Sequence, residues 1–361
     1  MQTQDALYYR RADYAESLLT SLNGITHAFT LFAPRRMGKT QFLLKDIAPT
    51  AERMGFNVFY FSFMDDTGAN VAADFQTALY HFAQSIRTGS GIKSFLGSLN
   101  KIDIMGIGIG RENKAETLPK ISDIITSIAH DNAPTLLLLD EVQELARIKD
   151  TSGLIRSLRT GLDINQNRVK TIFTGSSTNG LKAMFNNSKA PFFHFAHALD
   201  FPLLGKEFTD FLADVYQKRT GKQADKAAFY TMFKRLNHTP MYMRAVVQDM
   251  IITPELSLEE AASSRLQQLN EQHAEKGIWA ELKPIEQAIL ADIARNPNTS
   301  PYSQESRQRY AAALGIANVS NSNVQAAINR MERQDWINRN ASRTLQINNP
   351  LLQTWILENT P

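Results

Sequence analysis

The sequence predicts an α/β fold built on a parallel sheet, followed by a helical unit and then by three helices with a short hairpin. Up to about residue 200, short apolar runs alternate with helical patterns, as they do when crossover helices join parallel strands. From about 205 the pattern is helical throughout, and from about 280 three helices precede two short strands. We therefore expect three domains, over residues 1–204, 205–277 and 278–361.

Four apolar runs are the strand candidates. Each is almost continuously apolar, which is typical of strands buried on both faces of a parallel sheet. They are HAFTLFA (27–33), NVFYFSF (57–63), TLLLLD (135–140) and VKTIFTG (169–175). A glycine-containing stretch at 102–112, IDIMGIGIGRE, lacks the G-x-G-x-x-G spacing of dinucleotide-binding loops, and its alternating isoleucines predict a β-hairpin.

Composition and charge exclude several classes of protein. Hydrophobic residues make up 43% and charged residues 21% of the 361, which is typical of globular domains and not of disordered chains. A net charge of +3 is too small for a protein that mainly coats nucleic acid. The chain has no cysteine, no signal-peptide pattern and no apolar run of the roughly 20 residues that span a membrane. We expect a cytoplasmic protein without a membrane partner.

The first strand candidate leads directly into A-P-R-R-M-G-K-T, and an amphipathic helical pattern begins at Gln41. This is the Walker A pattern with alanine at its first glycine. The backbone N–H groups of such a loop and the positive end of the following helix form an anion site for phosphates. The residues expected to contact a nucleotide are Ala33, Pro34, Arg35, Arg36, Met37, Gly38, Lys39, Thr40 and Gln41.

Three of these loop residues have specific expected roles. Gly38 lets the backbone approach the phosphates closely. Lys39 reaches the β- and γ-phosphates as a point charge, and the Thr40 hydroxyl supplies one ligand of an octahedral Mg²⁺. The alternative is a solvated turn between strand and helix in which two arginines happen to precede Gly-Lys.

The run TLLLLDEVQEL predicts a buried strand that ends in two carboxylates. Ligands of open α/β sheets bind at the carboxyl ends of the strands, so both acids are expected in the same crevice as the loop. Asp140 would hold Mg²⁺ through water, and Glu141 would orient and polarise the attacking water. The alternative is that these acids only cap the next helix.

The last strand candidate ends in FTGSSTN and is expected beside the TLLLLD strand. A hydroxyl of Thr174, Ser176 or Ser177 could therefore lie near the γ-phosphate or the attacking water, and the sequence leaves open which one does. Hydroxyls also end strands for purely local reasons. We take Glu141, Lys39 and Ser176 as the candidate catalytic residues.

Five features of the sequence carry a resemblance to a known family: FAPRRMGKT, LLLLDEVQEL, IFTGSS, APFFHF and the C-terminal pattern of three helices and a hairpin, which is typical of a winged helix. Together they resemble the AAA+-related STAND ATPases, in particular the prokaryotic single-chain group with an attached winged helix. The resemblance covers nearly the whole chain. It implies a P-loop ATPase core, a helical lid and a winged-helix domain. It also implies ATP and Mg²⁺ as cofactors, and a nucleotide that switches conformation or homo-oligomeric assembly.

The chain departs from that family at one functional position. No arginine occurs between Arg168 and Arg219, so the expected arginine finger is missing and unassisted turnover should be slow. Lys189 is a weak substitute. Arg244, after His-Thr-Pro, is a candidate phosphate sensor of the lid, although a surface salt bridge explains it equally well. Arg11, or its neighbour Arg10, matches the family's arginine near the base or ribose.

The C-terminal domain has two expected kinds of partner, DNA or protein. For DNA binding, the predicted contact residues are Asn321, Asn323, Gln325, Asn329 and Arg330 on one helix and Arg339 and Arg343 in the wing. Glu332 and Asp335 offset the arginines and leave the domain nearly neutral, which is unusual for DNA binding.

Two functions remain open at this point. The first is an ATP-binding protein with slow Mg²⁺-dependent hydrolysis that acts as a conformational or assembly switch. The second is a non-hydrolysing, nucleotide-sensing regulator that binds DNA through the winged helix. A scaffold that has lost its nucleotide is disfavoured, because Lys39, Thr40, Asp140 and Glu141 are all intact.

Overall fold

The computed structural model describes residues 5–64, 71–88, 94–96, 118–146, 151–176, 184–185, 190–271, 274–297, 299–334, 336–339 and 344–360. The chain divides into two compact units. The first, called here the α/β unit, consists of Arg10–Ala33 and Lys39–Phe201. The second, the helical unit, consists of Met1–Tyr9, Pro34–Gly38 and Pro202–Pro361. No helix in the described ranges is long and apolar enough to cross a membrane.

The α/β unit is built on a six-stranded parallel sheet. Its strands are β1 (Ala28–Phe32), β2 (Asn57–Ser62), β3 (Ser94–Leu96), β4 (Thr135–Asp140), β5 (Val169–Gly175) and β6 (His197–Asp200). Their order across the sheet is β3-β2-β4-β5-β1-β6, and every neighbouring pair is parallel. All residues of β1 and β4 are buried, as their continuous apolar runs predict.

The structure confirms the four predicted strands and adds two at the edges of the sheet. β6 was missed because most of its residues are exposed and it contains no apolar run. β3 was missed because three residues are too short to give a periodic signal. The predicted hairpin at 102–112 lies outside the described residues.

Helices flank the sheet. They are α1 (Ala12–Gly24), α2 (Lys39–Phe42), α3 (Ala48–Arg53), α4 (Val71–Arg87), α5 (Ile121–Ala129) and α6 (Ser152–Ile164), with a 3₁₀ turn at Val142–Ala146. Apolar residues of α4, α5 and α6 pack with Phe59, Phe61 and Phe173 of the sheet in one large core. This burial fixes the ends of β4 and β5, from which the polar residues of the candidate site project.

The helix predicted after the glycine-lysine loop is interrupted by a π turn at Leu43–Ile47 between α2 and α3. The Ala48 N–H donates to the Leu43 carbonyl, five residues back. Pro49 has no N–H to offer the Lys45 carbonyl. That carbonyl accepts a hydrogen bond from Arg10 Nη2 at 3.0 Å instead. The proline is thus accommodated without ending the helix.

The helical unit contains two clusters of helices. The first comprises α7 (Lys206–Thr220), α8 (Lys226–Arg235), α9 (Pro240–Ile252), α10 (Leu258–Glu271) and α11 (Ala274–Glu281). Phe208, Phe233 and Val246 are among the residues of its apolar core. Gly221 ends α7 in the left-handed conformation, with φ of 73°.

The second cluster, called here the C-terminal module, follows the first cluster directly in the sequence. It comprises α12 (Pro284–Arg295), α13 (Gln304–Leu314), α14 (Asn321–Arg333), the antiparallel strands β7 (Ile337–Arg339) and β8 (Leu345–Ile347), and α15 (Pro350–Asn359). The three helices and two strands occur in the predicted order, and α15 is an addition. Tyr310, Ile328 and Ile356 lie in its apolar core.

Candidate functional site

The strand order places the glycine-lysine loop and the two acidic residues at one edge of the sheet. The loop follows β1, and Asp140 is the last residue of β4. β5 lies between these two strands and is parallel to both, with Phe32 opposite Gly175 and Leu139 opposite Phe173. Because parallel strands end at the same edge, side chains that are distant in the sequence meet there.

The loop itself has two residues in the left-handed region of backbone conformation. They are Gly38, with φ of 89°, and Arg36, with φ of 71°. Glycine adopts this conformation without strain, whereas for arginine it costs roughly 1–2 kcal/mol. A Cβ at position 38 would meet no atom within 4 Å. The structure therefore requires Gly38 for its backbone angle and not for space.

Arg36 is held by a tyrosine of the same unit. Its Nη1 donates to the hydroxyl of Tyr242 in α9. The centre of its guanidinium lies 5.2 Å from the centroid of that ring, within the range of a cation–π contact. Of the other predicted loop residues, Ala33 and Met37 are buried, Pro34 and Gln41 are half-buried, and Arg35 is exposed.

Lys39 is buried at the start of α2, with 5% of its surface exposed. Its Nζ donates to the Ala33 carbonyl at 2.7 Å, which closes the loop across its two ends. A buried ammonium group needs negative or dipolar partners. Its positive charge also lowers the pKa of Glu141, so the lysine and the glutamate interact electrostatically across the strand tips.

Asp140 is 1% exposed, and its carboxylate accepts hydrogen bonds from four donors. The Thr40 hydroxyl donates to Oδ2 at 2.6 Å, and the Tyr60 hydroxyl, from the neighbouring strand β2, donates to the same oxygen at 3.2 Å. Thr174 and the Glu141 N–H donate to Oδ1. All four donors are uncharged, so the negative charge of Asp140 is oriented but not cancelled.

Glu141 follows Asp140 with a left-handed φ of 54°. Its Oε2 accepts the N–H of Ser176 at 2.9 Å, the hydroxyl of Ser176 at 2.7 Å and Nε2 of Gln143 at 2.5 Å. Burial alone would raise the pKa of Glu141. The Lys39 charge and the hydrogen bonds from Gln143 and Ser176 outweigh burial and hold that pKa below its usual value. The glutamate is therefore ionised at neutral pH.

The structure brings Lys39, Thr40, Asp140, Glu141 and Ser176 together, as the sequence predicts. It assigns the candidate hydroxyls to separate acids, with Thr174 on Asp140 and Ser176 on Glu141. Ser177 and Lys189 lie outside the described residues.

Two predicted arginines have other partners. The Arg11 N–H donates to Oδ2 of Asp46 at 3.2 Å, and its guanidinium lies 4.2 Å from the centroid of the Phe201 ring. Arg244 forms an ion pair with Asp5 at 2.7 Å inside the helical unit. The salt bridge that the sequence analysis gave as the alternative explanation of Arg244 is thus present.

The predicted DNA-contact residues of the C-terminal module bond largely to their neighbours. Gln325 donates to Asn329 at 2.7 Å. Arg330 pairs with the buried Glu286, and Arg339 pairs with Glu332 at 2.9 Å. Asn321 and Asn323 are exposed on α14, and Arg343 lies outside the described residues.

Sequence reasoning missed two residues of the site, Tyr60 and Gln143. Gln143 follows Glu141 by two residues in TLLLLDEVQEL, so its position beside Glu141 in the sequence could have indicated that it belongs to the site. Tyr60 lies in an apolar strand, and only the pairing of β2 with β4 places it near Asp140. Nothing in its local sequence predicts that contact.

Comparison with known proteins supports the fold. No model of a known protein family matches the chain, and no curated protein matches it in sequence. Among solved structures it is similar to a Walker-type ATPase of Pyrococcus abyssi, with a TM-score of 0.66 and 17% identity over 97% of this chain and 96% of that chain.

Similar structures also include the ORC2 protein of Aeropyrum pernix. Its ADPNP–ADP complexes give a TM-score of 0.57 and 15% identity over 99% of this chain and 97% of that one. Its ADP form gives 0.56 and 14% identity over 98% and 99%. The chain therefore shares the fold of these proteins, in which a parallel α/β sheet precedes a helical region.

Proposed function

We propose that this protein binds ATP and hydrolyses it slowly with Mg²⁺, and that the nucleotide acts as a switch of conformation or assembly. One observation carries the proposal. The Thr40 hydroxyl, which follows the glycine-lysine loop, lies 2.6 Å from the carboxylate of Asp140, a residue 100 positions away in the sequence. In P-loop ATPases, a loop hydroxyl and an acidic residue at the end of a strand share the metal of the nucleotide.

The loop and Lys39 supply the phosphate site in this proposal. Backbone N–H groups around Gly38 and at the start of α2 would donate to phosphate oxygens. Lys39 would exchange its hydrogen bond with the Ala33 carbonyl for the β- and γ-phosphates. A charge-assisted bond to phosphate is stronger than one to a neutral carbonyl, so the exchange favours binding.

The residues present fit a magnesium ion. Thr40 and Asp140 offer a hydroxyl and a carboxylate, which are the hard oxygen ligands that Mg²⁺ prefers. Asp140 keeps an uncancelled charge because its donors are neutral. When bound, the ion would neutralise charge that develops on the phosphate oxygens. Thr174 and Tyr60 would keep the carboxylate of Asp140 in a fixed orientation.

Glu141 is the proposed general base. Its oxygen accepts a proton from water while the water oxygen bonds to the γ-phosphorus. The bond between that phosphorus and the bridging oxygen of ADP breaks, which releases ADP and phosphate. The sequence has no arginine between Arg168 and Arg219 to stabilise the charge of this transition state. A missing arginine of this kind costs roughly 10³- to 10⁵-fold in rate, so we expect slow turnover.

The loop is also where a switch would act. Residues Pro34–Gly38 group with the helical unit, although the residues on both sides of them group with the α/β unit. Arg36 joins this loop to Tyr242 of α9. Phosphates that reorganise the loop would alter the Arg36–Tyr242 contact, and with it the packing of α9 in the same unit.

The resemblance to STAND ATPases adds three parts to the proposal. Residues 205–277 would serve as the lid, residues 278–361 would form a winged-helix domain, and nucleotide would control homo-oligomeric assembly. The alternative of a non-hydrolysing DNA-binding regulator gains no support from the module, because Arg330 and Arg339 are already paired with glutamates.

Calorimetry with Lys39→Ala tests the proposed function. We expect ATP affinity to fall about 100-fold, the equivalent of a lost hydrogen bond between charged groups. Lys170→Ala is the matched control, because Lys170 lies near the start of β5, at the opposite end of that strand from Ser176. ATP affinity that is equal in the wild type and in Lys39→Ala would refute the proposal.

A further inference from the structure

Gln143 is a buried amide whose amino group contacts two carboxylates. Its side chain is 1% exposed. Nε2 donates to Oε2 of Glu141 at 2.5 Å and to Oε1 of Glu144 at 3.2 Å. Ionised carboxylates accept hydrogen bonds but cannot donate them, so the NH₂ group and not the carbonyl oxygen must face them. The two acids therefore fix the orientation of this amide.

That orientation leaves the other end of the amide without a partner. Among the described residues, Oε1 of Gln143 is buried and has no hydrogen-bond donor. An unpaired buried carbonyl oxygen destabilises a fold. A methionine of similar length would fill the same space without that penalty. The glutamine therefore brings one unfavourable buried group with it, and locally unfavourable groups of this kind are found at functional sites.

The hydrogen bonds of Gln143 act on one oxygen of Glu141. Oε2 of Glu141 accepts Gln143 from the 3₁₀ turn and both the N–H and the hydroxyl of Ser176 from the end of β5. These donors approach from two different elements, so together they fix the plane of the carboxylate. Within the described part of the chain, the structure shows no donor to the other oxygen, Oε1.

We propose that Gln143 is a positioning residue of the hydrolytic reaction: it anchors Glu141 through Oε2, so that Oε1 faces the attacking water. The inference rests on the proposed function and names a residue that acts through Glu141, not on the nucleotide. Ser176 anchors the same oxygen from the sheet. Gln143 anchors it from the turn that follows the left-handed Glu141, and prevents that turn from rotating the carboxylate away.

The test compares Gln143→Met with the wild type in two measurements. The first is the pKa of Glu141, followed without nucleotide by NMR of ¹³C-labelled glutamate carboxyls and assigned with Glu141→Gln. Loss of a donor to the carboxylate should raise this pKa. The second is steady-state hydrolysis. The kcat should fall about 10- to 100-fold, as expected for a misplaced catalytic group, with the acid limb of its pH profile moved to higher pH and ATP affinity unchanged.

Gln76→Met is the matched control. Gln76 is half-buried in α4 and donates to the Pro119 carbonyl at 2.8 Å, so the control removes one amide hydrogen bond in the same unit. It should change neither the pKa of Glu141 nor kcat. If Gln143→Met does not fold, Gln143→Asn keeps the amide but shortens it by one methylene, and the same two changes are expected.

The results separate this inference from the proposed function. An unchanged pKa of Glu141 in a folded Gln143 variant overturns the inference, whatever the protein hydrolyses. An unchanged kcat at saturating ATP also overturns it. Equal hydrolysis by the wild type and Glu141→Gln refutes the proposed function instead, and the NMR titration then still shows whether Gln143 anchors Glu141.

Discussion

Among the described residues, the acids Asp140 and Glu141 at the strand tips and the acids Glu286 and Asp292 in the C-terminal module receive hydrogen bonds from donors of different charge. At the strand tips, Asp140 accepts only neutral donors among the described residues. In the C-terminal module, Glu286 pairs with Arg330, and Asp292 accepts hydrogen bonds from Nε and Nη2 of Arg309 at 2.7 and 3.1 Å. Asp140 and Glu286 are equally buried, each 1% exposed.

The charge of the donors determines what each pair of carboxylates can do. A guanidinium beside a carboxylate cancels its charge, so the pair can hold elements together but has little attraction left for a cation. Hydroxyl and amide donors orient a carboxylate and leave its charge in place. Asp140 is therefore suited to the proposed metal site, whereas the acids of the C-terminal module are suited to structure.

The largest expected effect is on turnover. Glu141→Gln removes the proposed base but keeps the shape of the side chain, so hydrolysis should fall roughly 10²- to 10⁴-fold. ATP affinity, measured by calorimetry, should not change. Glu286→Gln makes the same change in the C-terminal module and should leave turnover as it is. A reversal of these two results would break the comparison.

The second effect is on stability. Asp292→Asn removes the carboxylate that accepts two hydrogen bonds from Arg309, which keeps its second ionic partner, Glu305, at 3.2 Å. The change should lower the free energy of unfolding by about 2 kcal/mol. Asp140→Asn should leave the free energy of unfolding equal or raise it, because it removes a buried charge that has no ionic partner. Urea denaturation measures both variants. An equal loss of stability in the two variants would contradict the distinction between the two kinds of carboxylate.

A third effect appears at acid pH. Burial raises the pKa of Asp292, but hydrogen bonds from Arg309, Asn296 and Tyr310 and the Arg309 charge outweigh burial and hold that pKa below its usual value. A carboxylate whose pKa is lower in the native than in the unfolded protein stabilises the fold at pH values above its unfolded pKa, about 3.9. This stabilisation is lost as the pH falls through the native pKa. Below about pH 4, the wild type should therefore lose stability more steeply than Asp292→Asn. Parallel curves from denaturation at each pH would count against the prediction.

The smallest effect concerns Tyr60. Tyr60→Phe removes one hydrogen bond from an uncharged donor to Asp140, which is worth about 1 kcal/mol. The Mg²⁺ concentration needed for half-maximal ATP binding should therefore rise roughly fivefold. Tyr302→Phe is the matched control, since its hydroxyl donates to Gln325 at 2.8 Å in the C-terminal module. Titration of ATP binding against Mg²⁺ measures both. Identical titrations for Tyr60→Phe and the wild type would show that Tyr60 does not orient Asp140.

Local patterns were sufficient for the central strands and for most of the site. The continuous apolar runs of β1, β2, β4 and β5 follow from burial on both faces, and that burial is a property of a parallel sheet. The loop before Lys39 and the acids after TLLLLD are contiguous motifs, so they too could be found without the structure. The edge strands β3 and β6 were not found, because a short or exposed strand carries no periodic apolar signal.

The α/β fold, the glycine-lysine loop and the two acids after TLLLLD could be predicted from the sequence, since each depends on residues that are adjacent in the chain. The donors that each acid receives depend on how the strands pair in three dimensions. Tyr60 reaches Asp140 through the pairing of β2 with β4, and Ser176 reaches Glu141 because β5 lies beside β4. Strand order and register set these contacts, and a hydrogen bond between residues far apart in sequence leaves no trace in local periodicity.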